Sequence, residues 1–130
     1  MATYSIKAIK YAEQSVPGPQ MFFMSRWGEW MTADFYLFIL RRDDGQVILV
    51  DTGVRDVNEI QPLVVAGVGH KGRFRMDMET QNSSLLLKKA GIEPADVAHV
   101  LITHLHYDHA SIAHLFPIAM WVVSRGGGPL

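Results

Sequence analysis

Apolar residues recur along this chain in short runs separated by turn residues, which is the pattern of β-strands buried against a core. Residues 34–40 and 46–50 are such runs, and the Asp44-Gly45 step between them is typical of a hairpin turn. Residues 4–11 alternate loosely between apolar and polar positions, and residues 97–103 are again mostly apolar. We therefore predict a strand at each of these four segments, with both strands of the hairpin largely buried.

A helix is predicted between the hairpin and the last of these strands. Residues 81–90 carry its signals, because Asn82 or Ser83 can cap its first turn and Gly91 can end it. The three leucines at residues 85–87 are expected to be buried.

The order of strand, helix and strand predicts an α/β layer and not a free-standing all-β domain. A turn at residues 93–96 leads into the strand at residues 97–103. Beyond it, residues 110–116 are predicted to form one short helix ended by Pro117, and residues 120–123 a further strand.

Two segments have no clear period. Residues 21–31 are rich in large apolar side chains and are interpreted either as a loop packed over the core or as an apolar flap beside a substrate groove. Pro62 and three glycines within residues 54–79 argue against a long helix there. His70, in the same segment, is expected to be solvated, with a substrate contact as the alternative.

Composition narrows the function classes. The 130 residues carry a formal net charge of −1, and the basic pairs are scattered, so no nucleic-acid-binding face is predicted. The chain has no cysteine, which excludes disulfides and thiolate ligands. No apolar run approaches the roughly 20 residues of a membrane span, and a cytoplasmic protein without membrane contact is expected. We predict one domain over residues 1–125 and a flexible tail at residues 126–130.

Three of the six histidines and one aspartate lie within residues 104–109. His104, His106 and Asp108 are spaced so that an extended segment would place them on one side. His109 breaks this period, which predicts a turn from the end of a strand into a helix. Imidazole and carboxylate groups together are typical ligands of zinc, iron or manganese. The cluster therefore predicts a metal site, whereas the isolated His99 and His114 are expected to be structural or exposed.

The same residues carry a resemblance. The segment Thr103-His104-Leu105-His106-Tyr107-Asp108-His109 resembles the signature of the metallo-β-lactamase-fold hydrolases, and Val50-Asp51-Thr52-Gly53 resembles an earlier strand-end motif of that superfamily. Residues 85–103 resemble the helix, turn and strand that precede the site. The details are most similar to the N-acyl homoserine lactonase branch, and the resemblance covers about residues 34–124. The fold that the resemblance implies is of the α/β (α+β) class: the first half of an αββα sandwich, with a mixed β-sheet and helices packed on one face.

The resemblance also implies a chemistry. His104 and His106 would hold one metal ion and Asp108 and His109 a second, with zinc as the expected metal and iron or manganese as alternatives. A metal-bound hydroxide would attack an ester-like bond, a lactone being the first choice, while Asp108 orients the nucleophile and relays a proton. Such a lactonase would act in quorum quenching.

Residues around the ligands have implied roles as well. Asp51 either braces the metal loop, residues 103–109, by hydrogen bonds, as the resemblance implies, or only bonds its own turn. Thr103 is implied to support the ligands too. The candidate contacts to a small-molecule substrate are Phe22, Phe23, Met24 and Trp27.

The number of ligands predicts an incomplete site. A catalytic zinc has about three protein ligands plus water, so two ions need more than four groups. The superfamily takes its later ligands from a second half, and we expect a missing C-terminal half or a second chain to supply them here. The chain alone should bind metal weakly and hydrolyse little. Two other classes stay open: a non-haem iron protein that uses His104, His106 and Asp108, and a non-catalytic half-domain of a hetero-complex.

Overall fold

The computed structural model describes residues 1–123, which form a mixed six-stranded sheet with helices packed on one face. The predicted fold class is therefore confirmed. The strands are β1 (Tyr4–Pro17), β2 (Trp30–Arg42), β3 (Val47–Val50), β4 (Phe74–Arg75), β5 (Val97–Ile102) and β6 (Met120–Val123). The helices are α1 (Gly18–Met21), α2 (Val57–Val68), α3 (Ser83–Lys89) and α4 (Tyr107–Ala110), with 3₁₀ turns at Pro94–Asp96 and Ala113–Leu115.

The order of the strands places two strand ends side by side. The sheet order is β4-β1-β2-β3-β5-β6, with β1, β2 and β3 joined as antiparallel neighbours. β5 runs parallel to β3 and to β6. Because Val50 pairs with Leu101, the segments that follow β3 and β5 leave the sheet at the same edge. Ligand sites of α/β proteins lie at this kind of edge.

The hairpin is confirmed, and the first strand is longer than predicted. Gly45 adopts a φ of 90° in the turn, and its N–H donates to the carbonyl of Arg42 at 2.9 Å. β1 continues beyond residue 11 and ends at Pro17, where proline and glycine interrupt it as expected. Its register shifts between Lys10 and Ala12, which turns Tyr11 into the core.

Within residues 1–123, helices cover only one face of the sheet, so the prediction of two largely buried hairpin strands is wrong. Along β2, Leu37 and Ile39 are buried beneath the helices, whereas Tyr36 and Phe38 are 42% and 40% exposed on the other face. The alternation arises because successive strand residues point to opposite faces. One row of paired positions on the uncovered face consists of Ile6, Leu40, Ile48, His99 and Met120, and the next consists of Phe38, Val50, Leu101 and Val122.

The helix α2 occupies a segment where the sequence argued against one. Asp56 caps its first turn by accepting from the N–H of Asn58 at 2.8 Å. Ile60 and Val64 are spaced one turn apart and are both buried in the core. Pro62 lies inside this helix on the exposed side. Burial of the apolar stripe therefore outweighs the cost of the proline.

The helix α3 lies within the predicted segment, residues 81–90, and is shorter, since it spans Ser83–Lys89. Asn82 caps it by accepting from the N–H of Ser84 at 3.0 Å, and Gly91 follows with a φ of 68°. Only one of the three leucines is fully buried, because Leu87 faces the core while Leu85 is 37% exposed.

Three further predictions are corrected or lie outside the described residues. The single helix predicted at residues 110–116 is divided into α4 and the 3₁₀ turn Ala113–Leu115. Residues 22–27 form a turn that stays exposed and does not pack over the core; Phe23 is 92% exposed. The predicted flexible tail at residues 126–130 lies outside the described part of the chain. Within residues 1–123, no helix is long and apolar enough to cross a lipid bilayer.

Candidate metal centre

The predicted ligands meet at the edge of the sheet where β3 and β5 end. The chain leaves β5 at Ile102, passes through a loop and enters the one-turn helix α4. This confirms the predicted passage from strand to helix, although residues 103–106 are not an extended strand. The ring centroid of His104 lies 4.5 Å from that of His106 and 3.9 Å from that of His109.

Asp51 connects the end of β3 to this cluster. Its carboxylate accepts from the backbone N–H of Thr103 at 2.8 Å and from the Thr103 hydroxyl at 2.8 and 3.0 Å. The second carboxylate oxygen lies 2.8 Å from Nδ1 of His109. Asp51 adopts a φ of 57°, an uncommon conformation for a residue other than glycine, which points its side chain at the next strand end. The alternative in which Asp51 only bonds its own turn is therefore wrong.

His109 lies between two carboxylates. Nδ1 faces Asp51, and Nε2 lies 3.1 Å from Oδ2 of Asp108. Burial would lower the pKa of His109, but the hydrogen bonds to Asp108 and Asp51 outweigh it and raise the pKa to about 9. Burial opposes ionisation of Asp108, yet its hydrogen bond from His109 lowers the pKa of that carboxyl. The imidazolium form, which donates from both nitrogens, fits this arrangement.

The contact between His109 and Asp108 explains why the described residues contain no preformed metal site. Within residues 1–123, no three His, Asp or Glu side chains are already placed to hold one metal ion. The Nε2 atom of His109 and the Oδ2 atom of Asp108 point at each other, and each would have to turn towards a metal ion.

The donor set nevertheless fits a zinc-type ion. Burial and the neighbouring imidazoles of His109 and His106 lower the pKa of His104, which favours the neutral form that binds metals. Nδ1 of His104 lies 3.1 Å from the Thr103 hydroxyl, which itself donates to Asp51. Nδ1–H therefore donates to Thr103, and Nε2 carries the free lone pair. A histidine whose second nitrogen is held in this way is typical of metal ligands.

A cavity of about 520 Å³ opens beside the cluster. Its walls are one side of the metal loop, one side of α2, and two glutamines, of which one lies in β1 and the other in α1. The lining residues are Gln14, Gln20, Ile60, Leu63, Val64, Gly67, Val68, His106, Tyr107 and Asp108. An apolar helix face opposite a few polar groups is the usual form of a small-molecule site.

The other candidate residues lie elsewhere. The four proposed substrate contacts, Phe22, Phe23, Met24 and Trp27, are exposed and are not among the lining residues described for this cavity. His70 and His114 are exposed. His99 lies on the uncovered sheet face, and its Nδ1 is buried without a hydrogen-bond partner in the described part of the chain.

Sequence reasoning missed three hydrogen bonds that tie the loop to its surroundings. The Tyr107 hydroxyl donates to the carboxylate of Glu59 in α2. The Ser111 hydroxyl donates to the carbonyl of Gly53 at 2.9 Å and accepts from the N–H of Arg55 at 2.8 Å. Each bond joins residues about 50 positions apart, and no local pattern marks such partners.

Comparison with known proteins identifies similar chains. A family profile described as the metallo-beta-lactamase superfamily matches residues 31–127. An N-acyl homoserine lactonase from a Bacillus species is 30% identical over 84 residues, which is 64% of this chain and 33% of the relative. A solved N-acyl homoserine lactone hydrolase, with the product N-hexanoyl-L-homoserine at its catalytic metal centre, superposes with a TM-score of 0.78 at 24% identity. AidC, described as a dizinc quorum-quenching lactonase, superposes with a TM-score of 0.57 at 15% identity.

The likeness covers most of this chain but only part of each relative. The two solved structures match 94% and 95% of this chain, and the matched segments are 49% and 42% of their own lengths. The chain therefore spans between a third and a half of the length of the proteins it resembles.

Proposed function

Because the chain belongs to the metallo-beta-lactamase superfamily, we propose that it carries half of the site of a metal-dependent hydrolase that opens ester-like bonds, with a lactone as the substrate. The observation that carries the proposal is the meeting of His104, His106, Asp108 and His109 at one sheet edge, braced by Asp51. The lactone is proposed because the relatives named above are N-acyl homoserine lactonases.

We assign the ligands in two pairs. His104 and His106 would hold one zinc ion, and Asp108 and His109 would hold the second. Such ions supply an activated water at neutral pH and polarise the carbonyl that it attacks. Zinc is favoured because imidazole and carboxylate donors suit it and one similar structure is described as dizinc.

The protein's own groups orient the reactants. Asp51 and Thr103 hold Nδ1 of His109 and Nδ1 of His104 from behind, which leaves Nε2 of each ring as the nitrogen that would bind a metal ion. The carboxylate of Asp108 lines the cavity, where it can orient the attacking water and carry a proton at Oδ2 to the leaving oxygen. The apolar side of α2 faces the same cavity and would exclude water from the rest of the substrate.

The first experiment tests the ligands. Zinc binding by calorimetry and hydrolysis of N-hexanoyl-L-homoserine lactone are compared for the wild type, His104→Ala and Asp108→Asn, with His114→Ala as the control. His114 is exposed and lies outside the loop. The first two variants should lose zinc affinity, and the control should retain it. Unchanged zinc affinity and hydrolysis in all three variants would remove the basis of the assignment.

The chain alone is proposed to be incomplete. Four ligands are too few for two catalytic ions, and the uncovered face of the sheet has the apolar rows that a second layer would cover. We infer that a second β-sheet covers this face. It would be equivalent to the part of the solved hydrolase that this chain does not match, about half of that protein.

The second experiment tests this incompleteness. Native mass spectrometry of the protein from its source should show a species heavier than one 130-residue chain, whose additional polypeptide supplies His and Asp residues. Phe38→Lys should prevent its association, or its docking within a longer chain, whereas the matched change Val65→Lys on the exposed side of α2 should not. A single 130-residue chain that holds two zinc ions and turns over lactone at an ordinary rate would refute the proposal.

A further inference from the structure

The helix α4 is too short to hold its own geometry. It contains four residues, and the N–H groups of His109 and Ala110 both donate to the carbonyl of His106, the residue before the helix, at 3.0 and 3.1 Å. A single turn of helix is not stable in water, because nucleation costs more than one or two hydrogen bonds return. The directions of the Asp108 and His109 side chains must therefore be set by contacts outside α4.

Two buried residues make those contacts from beneath. The hydroxyl of Tyr11 in β1 donates to the carbonyl oxygen of Asp108 at 2.9 Å. The backbone N–H and the hydroxyl of Thr52 both donate to the carbonyl oxygen of His109, at 2.7 and 3.0 Å. Tyr11 is 2% exposed and Thr52 is fully buried, so water does not compete for either carbonyl. The carbonyls at the end of a helix have no hydrogen-bond partner within it, and Tyr11 and Thr52 supply such partners to the carbonyls of Asp108 and His109.

Packing accounts for the ring of Tyr11 but not for its hydroxyl. The ring lies edge-on to Phe35 at 6.2 Å, and Phe35 in turn contacts Phe74 at 5.4 Å. A phenylalanine at position 11 would make the same aromatic contacts. Burying a hydroxyl is costly unless it is hydrogen-bonded, and the bond that offsets this cost is the one to Asp108.

We propose that Tyr11 and Thr52 are positioning residues for the metal loop, which orient Asp108 and His109 through their backbone carbonyls; this inference rests on the proposed metal site. The two donors come from different strands and reach adjacent carbonyls. Together they prevent α4 from rotating about its axis, a movement that would carry both residues away from the site.

The test uses Tyr11→Phe and Thr52→Val, which keep the shape of each side chain and remove one hydroxyl. Tyr36→Phe is the control, because Tyr36 lies on the uncovered sheet face. Cobalt(II) serves as the probe, since it occupies zinc sites and absorbs visible light according to its ligand geometry. Tyr11→Phe should weaken cobalt binding about 3- to 10-fold and shift the visible spectrum. Thr52→Val should have a smaller effect, because the backbone N–H still holds His109, and Tyr36→Phe should match the wild type.

The readouts separate positioning from stability and from the proposed function. A lower unfolding midpoint of Tyr11→Phe with unchanged cobalt affinity and spectrum would assign the hydroxyl a merely structural role and overturn the inference. If the wild type binds no cobalt, the proposed metal site fails instead. The positioning role of Tyr11 is then examined by hydrogen exchange, where the amides of His109 and Ala110 should exchange at least 3-fold faster in Tyr11→Phe than in Tyr36→Phe. Equal exchange in these two variants would overturn that role as well.

Discussion

Replacing Asp51 with asparagine tests whether one carboxylate holds the two strand ends together. The carboxylate receives hydrogen bonds from the backbone and hydroxyl of Thr103 and from His109, all between 2.8 and 3.0 Å. Its side chain is only 14% exposed, so water replaces these partners poorly. Asparagine has the same shape, but it is uncharged, and an NH₂ group replaces one of the two acceptor oxygens.

The magnitude follows from the partner that is lost. The amide oxygen can still accept from Thr103, so the substitution removes mainly the charge-assisted contact with His109. A hydrogen bond to a charged group contributes about 1.5–3 kcal/mol, and residual exposure reduces this somewhat. We expect the metal-free variant to lose about 1–3 kcal/mol from an unfolding free energy on the order of 5–15 kcal/mol.

The assay is urea unfolding of the metal-free protein, with Asp34→Asn as the matched control. Asp34 pairs with Lys10 at 2.7 Å, but both side chains are 39% exposed. Such surface pairs are screened by solvent and contribute little to stability, so the control should remain close to the wild type. Equal unfolding free energies for Asp51→Asn and the wild type would show that this carboxylate does not hold the strand ends together.

Three further substitutions test backbone conformation with the same urea assay. Gly53→Ala should cost about 2–4 kcal/mol, because Gly53 has a φ of 82° and an added Cβ would collide with Ser83 Oγ. Gly45→Ala, at a φ of 90° in open space, should cost only about 1 kcal/mol, and equal losses at both sites would argue against the collision. Pro62→Ala should stabilise the chain by about 1–2 kcal/mol, since it restores an N–H that can donate to the carbonyl of Asn58. A loss of stability there would mean that the ring of Pro62 contributes more than the missing hydrogen bond.

The elements that the sequence predicted well carry their signals locally. The hairpin is marked by its Asp-Gly turn, and α3 is marked by the cap Asn82 and by Gly91. The resemblance to the metallo-β-lactamase superfamily and its lactonase branch is also confirmed, and the residues that carry it lie in contiguous segments that can be recognised locally. The elements that were missed depend on tertiary burial. Pro62 argued against α2 locally, yet the burial of Ile60 and Val64 stabilises the helix.

The residues of the candidate site likewise divide into those that a local pattern marks and those whose partners are distant in the sequence. The cluster at residues 104–109 is visible in the sequence because its members are neighbours. Asp51 was paired with that cluster only through the resemblance, since its partner His109 lies 58 positions away. Tyr11 could not be found at all, because its partner Asp108 is 97 positions away and an aromatic residue in a strand is an ordinary core residue. The metal assignment itself stays a prediction.

The proposed second sheet would account for both the uncovered sheet face and the short ligand set. β3 and β5 end at the edge where Asp51 and the metal loop lie, and the apolar rows on the other face run beneath the same strands. A second sheet packed on those rows would lie about 10 Å away, with its strands within about 30° of these. Its strand ends would then border the same edge, within reach of the exposed His106. One packing event would therefore bury the rows and bring further ligands to the loop, which is why the two experiments on Phe38 and on zinc binding should give linked results.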